Sequence, residues 1–261
     1  MQRDPHSHKG ENGKVAIIGG SSTIHGAPLL SALAAEASGA DLVFVALPRL
    51  HQAVARMTSL NFQVHPFGGD ELVADDVPVL LQLLATMDAA VIGPGLARTP
   101  NALAALKDLV AEAPCALVLD ASALQPWTVD AVKGKNAVLT PHLGELERMG
   151  IGEGEIGATA KAAGITIHLK GPEDRIAGAD GNVSAVTGGN AGLTVGGTGD
   201  ALAGLIGGLL AQRVPAPDAC RIASTVIKRA GETLFQESGY AYTAEDVIDL
   251  IPELLHSVDL S

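Results

Sequence analysis

Aromatic residues are scarce: four Phe, two Tyr and one Trp, 3% of 261 residues. Isolated aromatics in such a chain read as packing, so Trp127, Tyr240 and Tyr242 carry no functional signal. Cysteine is nearly absent. Cys115 and Cys220 are too few for a disulfide framework, and no Cys/His cluster has zinc spacing. A reduced, cytoplasmic setting is the expectation. Positive charge is short as well. Seventeen Lys and Arg against 29 Asp and Glu leave a formal net charge of −12, which argues against a nucleic-acid-binding surface. The longest apolar run, 201–211, is broken by three glycines and is too short to span a bilayer. The first dozen residues, MQRDPHSHKGEN, lack the apolar centre of a signal peptide and read as a flexible N-terminus. Repeats, linkers and low-complexity stretches are missing, so 1–261 reads as one domain.

What the chain does have is alternation. "KVAIIGG" (14–20), "DLVFVALP" (41–48), "AAVIGPG" (89–95), "CALVLDA" (115–121), "NAVLTP" (136–141) and "ITIHLKG" (165–171) are nearly continuous apolar runs ending in Gly, Pro or Asp. They read as buried parallel strands. Helical patterns lie between them, at 28–37, 77–85, 100–111 and 157–163. The rhythm is that of a doubly wound α/β sheet. An Asp-Gly turn inside 174–188 predicts an antiparallel hairpin. Two further helices, 217–236 and 243–255, are expected to close the fold. In such sheets ligands bind at the carboxyl ends of the strands. The polar and glycine-rich segments "GGSSTIHGAP", "GPGLA", "DASAL", "TPHLGE" and "KGPED" all fall there.

Glycine is the other excess. Nine of the 31 lie between 188 and 208, leading into "VGGTGDALAGLIGGLL" (195–210). Bare backbone at this density suggests that something approaches the main chain closely. No Gly-Lys-Ser/Thr occurs, and the turn after the first strand does not fit G-x-G-x-x-G, so the usual phosphate loops are excluded. Gly196, Gly197, Thr198, Gly199 and Asp200 remain. The following helix carries Leu202, Ile206 and Leu209 on a stripe that buries one face. Its free N–H groups form a donor set for an anion. Asp200 either offsets the helix dipole or takes a proton from a hydroxyl beside that anion hole. A dipole-balancing aspartate would not need three glycines around it.

"GGTGDALAG" resembles the GGTGD-x-LAG signature of NAD(P)H-hydrate dehydratases, in the ribokinase-like superfamily. "SHKGENGKVAIIGGSSTIHGAP", "GPGLA", "DASAL", "LTPHLGE" and "KGPEDRI" follow in that family's order, so the resemblance spans about 5–255. It implies a ribokinase-like three-layer sandwich with a mostly parallel central sheet flanked by helices. It also implies nucleotide-dependent dehydration of hydrated NADH or NADPH (NADHX, NADPHX): the ring hydroxyl is phosphorylated, and phosphate is then eliminated. Asp200 would be the base. The amides of Gly197, Thr198 and Gly199 would hold the transferring phosphoryl group, each such donor being worth about 3 kcal/mol. Ala27, Gly95 and His142 would line the hydrate pocket with Asp200. Lys170, Gly171, Pro172, Glu173, Asp174, Asn190 and Gly199 would bind the nucleotide, ADP in preference to ATP. Mg²⁺ follows from the chemistry, with Glu145 reaching it through water. The remaining partners implied are a separate epimerase and further copies of the chain in a homo-oligomer, with no nucleic acid and no membrane.

The chain departs from the family pattern at four places. Ala97 replaces the last glycine of GPGLG, Ser122 the second aspartate of DADAL, and Leu143 the proline of TPHPGE. Asp174 stands where threonine is commoner, which places a negative charge near phosphates. A small-molecule kinase of the same superfamily, acting on a sugar or vitamin alcohol, is the alternative enzyme. A non-catalytic nucleotide-binding protein is the alternative outside catalysis.

Overall fold

Runs of Val, Ile, Leu and Ala become the strands of one sheet in the computed structural model, which describes residues 5–257. The strands are β1 (Lys14–Ile18), β2 (Leu42–Ala46), β3 (Gln63–Val64), β4 (Ala89–Ile92), β5 (Ala116–Leu119), β6 (Ala137–Leu139), β7 (Thr166–Leu169), β8 (Asp174–Ala177) and β9 (Val183–Val186). Their spatial order is β3-β2-β1-β4-β5-β6-β7-β8-β9. The first seven run parallel, with Val15, for example, opposite both Val43 and Ala89. β8 and β9 are added antiparallel and form the hairpin expected from the Asp-Gly turn.

Helices α1 (Gly26–Ala37), α2 (Gln52–Thr58), α3 (Val77–Leu84), α4 (Pro100–Glu112), α5 (Thr128–Ala131), α6 (Leu143–Arg148), α7 (Ile156–Ala163), α8 (Thr198–Ala211), α9 (Ala216–Ser238), α10 (Ala244–Asp249) and α11 (Ile251–Ser257) flank the sheet. Successive strand residues point to opposite faces, so the sheet feeds two cores. Val15, Ile17, Val91 and Val118 pack with residues of α1, α8 and α9. Ala16, Ile18, Ile92 and Leu119 pack on the other side with α3, α4 and α7. This is the α/β sheet that the alternation predicted, in the three-layer sandwich that the resemblance implied. Among the described residues, no helix is long and apolar enough to cross a membrane.

Three features differ from the sequence reading. Helix α8 does not bury one stripe; every residue from Ala201 through Ala211 is buried. It lies against β1, β4 and β5 while α1, α9 and α10 cover its other sides. Its small residues allow that: a Cβ on Gly204 would stand 2.0 Å from the Ser31 carbonyl oxygen of α1. Second, the helix expected at 243–255 is two, α10 and α11, meeting at Leu250. Pro252 has no amide hydrogen to give to Ile248, so a continuous helix fails there. Third, β3, α2, α5 and α6 were not expected, being short or lacking a clear period. Of the N-terminal dozen, residues 1–4 lie outside the described residues. The amides of Gly10 and Asn12 donate to the Asp41 carboxylate at 2.8 and 3.1 Å.

Strand order reverses beside β1, which has β2 on one side and β4 on the other. The carboxyl ends of β1 and β4 to β7 therefore open on one rim, where a doubly wound sheet forms a crevice.

Candidate active site

The amides of Gly196, Gly197, Gly199 and Asp200, at the start of α8, donate to no backbone carbonyl among the described residues. The Thr198 amide has only a long 3.5 Å contact with Val195. A helix always begins with such orphan donors, and here glycine strips away the side chains that could shield them. The glycines serve different ends, however. Gly197 has φ +102°, and a Cβ there would meet Leu30 Cδ1 at 2.4 Å, so it is fixed by conformation and packing. Gly196 has no atom within 4 Å of its would-be Cβ, and Gly199 has only Lys170 Nζ at 3.5 Å. Nothing in the protein requires those two to be bare. Gly196→Ala is therefore expected to melt within about a degree of the parent while raising the KM for nucleotide about tenfold. Thermal melts and initial rates check both halves.

Asp200 stands in the first turn of α8, next to those amides in the chain. Its carboxylate makes no hydrogen bond or ion pair with a described residue. Burial first, then the neighbouring charges of Asp120 and Glu145, push its pKa up to about 7, against the pull of Lys170. An uncommitted carboxylate poised near neutrality is suited to accept a proton. The dipole-balancing role is compatible with that position but does not account for the open glycines.

Lys170 directly follows β7, and its ammonium donates to Asp120 Oδ1 at 2.7 Å and lies 3.8 Å from Glu145 Oε2. Burial opposes its charge, but Asp120, Glu145 and Asp200 outweigh burial and hold its pKa above the ordinary lysine value. Asp120, at the end of β5, also accepts from Thr140 Oγ1 at 2.8 Å. His142 caps α6: its Nδ1 accepts from the Glu145 amide at 3.3 Å, while its own amide donates to Glu145 Oε2 at 3.0 Å. The His142 ring is exposed, and the residue pairs with Lys170 across the strand ends. His142, Glu145, Lys170, Gly199 and Asp200 thus gather at one point of the rim, with Asp120 among them. Asp120 was missing from the site residues expected above. Its signal was an acid closing an apolar strand, the "D" of "CALVLD".

Asp120→Asn isolates the electrostatics. Removing that charge relieves Asp200 of a repulsive neighbour and frees Lys170 to attract it. The Asp200 pKa then falls, and the midpoint of the rising limb of rate against pH moves from about 7 to lower pH. A pH–rate profile of the variant reads this shift.

Ala27 and Gly95 adjoin on a neighbouring stretch of the rim. A Cβ on Gly95 would lie 3.3 Å from Ala27 Cβ and 2.7 Å from Ile24 Cγ2, so Gly95 is packed rather than open. Gly26 has nothing within 4 Å. A cavity of about 310 Å³ joins His25, Gly26 and Leu29 to Gly196, bringing the start of α1 and the glycine run into one space. Ser31 Oγ donates to the Asp200 carbonyl at 2.9 Å and ties the two helices together there.

Gly171, Pro172 and Glu173 form an exposed turn after β7. Asp174 does not face that surface. It is buried, its carboxylate accepting from the Gly171 amide, His168 and Ser224, so the negative charge expected near phosphates points inward. The Asn190 side chain is also engaged: Oδ1 accepts from the Gly192 amide and from Tyr242 OH, both at 2.8 Å, and Nδ2 donates to the Gly231 carbonyl. Tyr242, which the sequence left without a role, braces the loop before the start of α8. Lys228 was missed too. Its Nζ donates to the carbonyls of Gly171 and Pro172, at 3.2 and 3.0 Å. The available signal was a lysine with Ser224, four residues apart, on the inner stripe of α9.

No three His, Cys, Asp or Glu side chains gather as a metal cage among the described residues. Magnesium rarely uses one, since it keeps waters and binds through one or two carboxylates plus substrate phosphates. The acidic side chains on this rim suit that mode.

Three comparisons bear on the arrangement. Residues 15–253 match the family model described as NAD(P)H-hydrate dehydratase. The chain is 36% identical to an ADP-dependent (S)-NAD(P)H-hydrate dehydratase of Cenarchaeum symbiosum, over 97% of this chain and 92% of that protein. Among solved structures, a ribokinase-like superfamily protein of Enterococcus faecalis superposes with TM-score 0.84 at 26% identity, covering 98% of this chain and 91% of the other. The ADP/ATP-dependent NAD(P)H-hydrate dehydratase of Bacillus subtilis, co-crystallized with ATP/Mg²⁺, gives TM-score 0.78 at 26% identity, covering 98% and 93%.

Proposed function

Since the chain belongs to the NAD(P)H-hydrate dehydratase family, we propose that it removes water from hydrated NADH and NADPH at the expense of ADP, yielding AMP and phosphate. One observation carries the reading to these residues: four unpaired amides at the start of α8 stand beside a carboxyl group whose pKa is about 7 and which has no hydrogen-bond partner among the described residues.

The chemistry divides into two displacements. The hydrate's ring hydroxyl gives its proton to Asp200 as its oxygen bonds to the terminal phosphorus of ADP. The bond from that phosphorus to the AMP oxygen breaks. The amides of Gly197 and Gly199, with Thr198 between them, hold the transferring phosphoryl oxygens. Lys170 supplies a compact positive charge beside Gly199. The ring carbon then releases phosphate with the C–O electron pair, and the adjacent carbon loses a proton, restoring the double bond. Phosphorylation matters because hydroxide is a poor leaving group and phosphate a good one. Bound magnesium neutralises phosphate charge; Glu145 would support it through water, beside the nucleotide. His142, exposed at the same rim, is placed to hydrogen-bond the hydrate, with Ala27 and Gly95 shaping its pocket. A separate epimerase would supply the hydrate in the hand this site accepts.

Incubating the protein with NADH hydrate, ADP and magnesium tests the reading. Reduced-nicotinamide absorbance and free phosphate are expected to rise together, one for one. Absorbance returning without phosphate overturns the phosphorylation step. A stable phosphate ester without absorbance makes the protein a kinase of the hydrate.

A further inference from the structure

Behind the exposed 171–173 turn lies a polar cluster that the two displacements do not use. Asp174 Oδ2 accepts from Ser224 Oγ at 2.6 Å and from His168 Nε2 at 3.1 Å. Its Oδ1 accepts from the Gly171 amide at 2.9 Å and lies 3.6 Å from Lys228 Nζ. Lys228 in turn donates to the carbonyls of Gly171 and Pro172. The four side chains come from β7, β8 and α9, and all four are buried. Among the described residues His168 Nδ1 has no hydrogen-bond partner, whereas Nε2 faces the carboxylate and donates to it.

Such a cluster is an expensive way to fill a core. Apolar side chains of the same volume often stabilise a fold as well or better, whereas a fully bonded ionic network selects one backbone arrangement. Here the selected backbone is the turn. The Gly171 amide and the carbonyls of Gly171 and Pro172 are all satisfied from inside, which leaves the outer face of the turn in a single shape. Lys228 also supports the loop that leads to Asn190: a Cβ on Gly189 would stand 3.3 Å from Lys228 Cγ. One lysine therefore sets two strips of chain that flank the same stretch of rim. Burial opposes the Asp174 charge, yet its hydrogen bonds to His168 and Ser224 and the Gly171 amide hold its pKa at about 2, so the carboxylate stays ionised.

We propose that Asp174 and Lys228, steadied by His168 and Ser224, are positioning residues for the nucleotide: they fix the 171–173 turn from within, so that it meets ADP in one shape, and they do not themselves touch it. The proposal rests on the reading of that turn as part of the nucleotide site. It also accounts for an aspartate at 174. A threonine there could not answer the Lys228 charge, so in this chain the aspartate and the lysine work as a pair.

Steady-state kinetics of Asp174→Asn, Lys228→Met and the double variant test it, alongside calorimetric titration of wild-type protein with ADP. The KM for ADP is expected to rise about tenfold in each single variant, with kcat within about threefold and the KM for hydrate unmoved. The double variant is expected to recover thermal stability relative to either single one while its KM for ADP stays raised. A purely structural role gives the opposite pattern, with lower melting temperatures and an unchanged KM in the folded fraction, and overturns the proposal. If Asp174→Asn fails to fold, Ser224→Ala removes one bond to the carboxylate. A rise of about threefold in the KM for ADP then supports the proposal, and an unchanged KM overturns it. Wild-type protein that binds no ADP overturns the nucleotide reading and this proposal together. Wild-type binding with unaltered variants overturns the positioning role alone.

Discussion

Asp200→Asn is expected to lower kcat by about a thousandfold and, above pH 7, to make the protein more stable than its parent. The amide is nearly isosteric with the carboxylate but cannot accept the hydroxyl proton, and a positioned general base contributes about 10²–10⁴ in rate. The stability gain has the same physical origin as the catalytic role. Burial, Asp120 and Glu145 together disfavour the charged form strongly enough to move the carboxyl from 3.8 to about 7, Lys170 notwithstanding. A carboxyl raised in the folded state contributes stability that is fully present below about pH 4, where folded and unfolded chains both hold the proton. That contribution is lost progressively as the pH rises through 7. At pH 8 the parent bears the whole cost of an ionised Asp200, on the order of 2–4 kcal/mol, and the asparagine variant does not. Urea melts at pH 4 and pH 8 should therefore coincide at the lower pH and separate at the higher, with the inactive protein the more stable. Parity at both pH values would mean that Asp200 is not held in a costly environment. A near-normal kcat would remove it from the base role.

The parent's own pH dependence follows from the same shift. kcat/KM should rise with pH through about 7 as free Asp200 loses its proton. Nucleotide binding alone should be much less sensitive over that interval, because the unpaired amides do not titrate.

The sheet was legible because buried parallel strands need continuous apolar runs, and "KVAII" and "ALVL" can do little else. The rim was legible because the turn residues of such a sheet fall at its carboxyl ends. The excess of glycine was legible only as an excess. One reason, close approach of a ligand, was assigned to a run that serves three. Gly196 and Gly199 face open space, Gly197 answers to its own φ and to Leu30, and Gly204, Gly207 and Gly208 let α8 settle against α1 and the sheet. The residue type is the same in each case; only the neighbours differ, and the tightest of them, Leu30, Ser31, Ser38 and Val91, come from segments more than a hundred residues away. Asp174 failed for a related reason. Next to "KGPE" an aspartate reads as a charge near phosphates. Strand alternation in β8 turns its carboxylate inward instead, toward Ser224 and Lys228 on a helix some fifty residues later. Polar partners that distant leave no trace in the segment that holds Asp174 itself.

Gly204→Ala is expected to cost about 3 kcal/mol or more. A Cβ at 204 would stand 2.0 Å from the Ser31 carbonyl oxygen and 2.6 Å from its carbon, both backbone atoms of α1. No rotamer change relieves that contact, so the helices must separate, and overpacking of this kind costs 1–3 kcal/mol even where side chains can yield. Gly208 follows on the same seam, where a Cβ would stand 2.1 Å from Ser38 Oγ, so the helices are close there too and any pivot about Gly204 is limited. Gly207→Ala is the control. A Cβ there would stand 2.4 Å from Val91 Cγ2, a side-chain carbon that can shift where backbone atoms cannot, and its cost should be smaller. In a chain of this size the Gly204 variant should melt about 6–12 °C lower. Its kcat should also fall, by up to about a hundredfold, because Ser31 at the crossing point holds the Asp200 carbonyl and displacing α1 drags the first turn of α8 with it. A variant that melts low yet turns over normally would show that the base is positioned independently of this seam. Melting unchanged from the parent would show that the two helices do not cross as closely as 2.0 Å requires. Loss of both ties the active-site geometry to the packing of the helix that carries it: the small residues that let α8 lie buried on all sides are what hold its first turn, with the free amides and the carboxylate, still enough to act on a phosphoryl group.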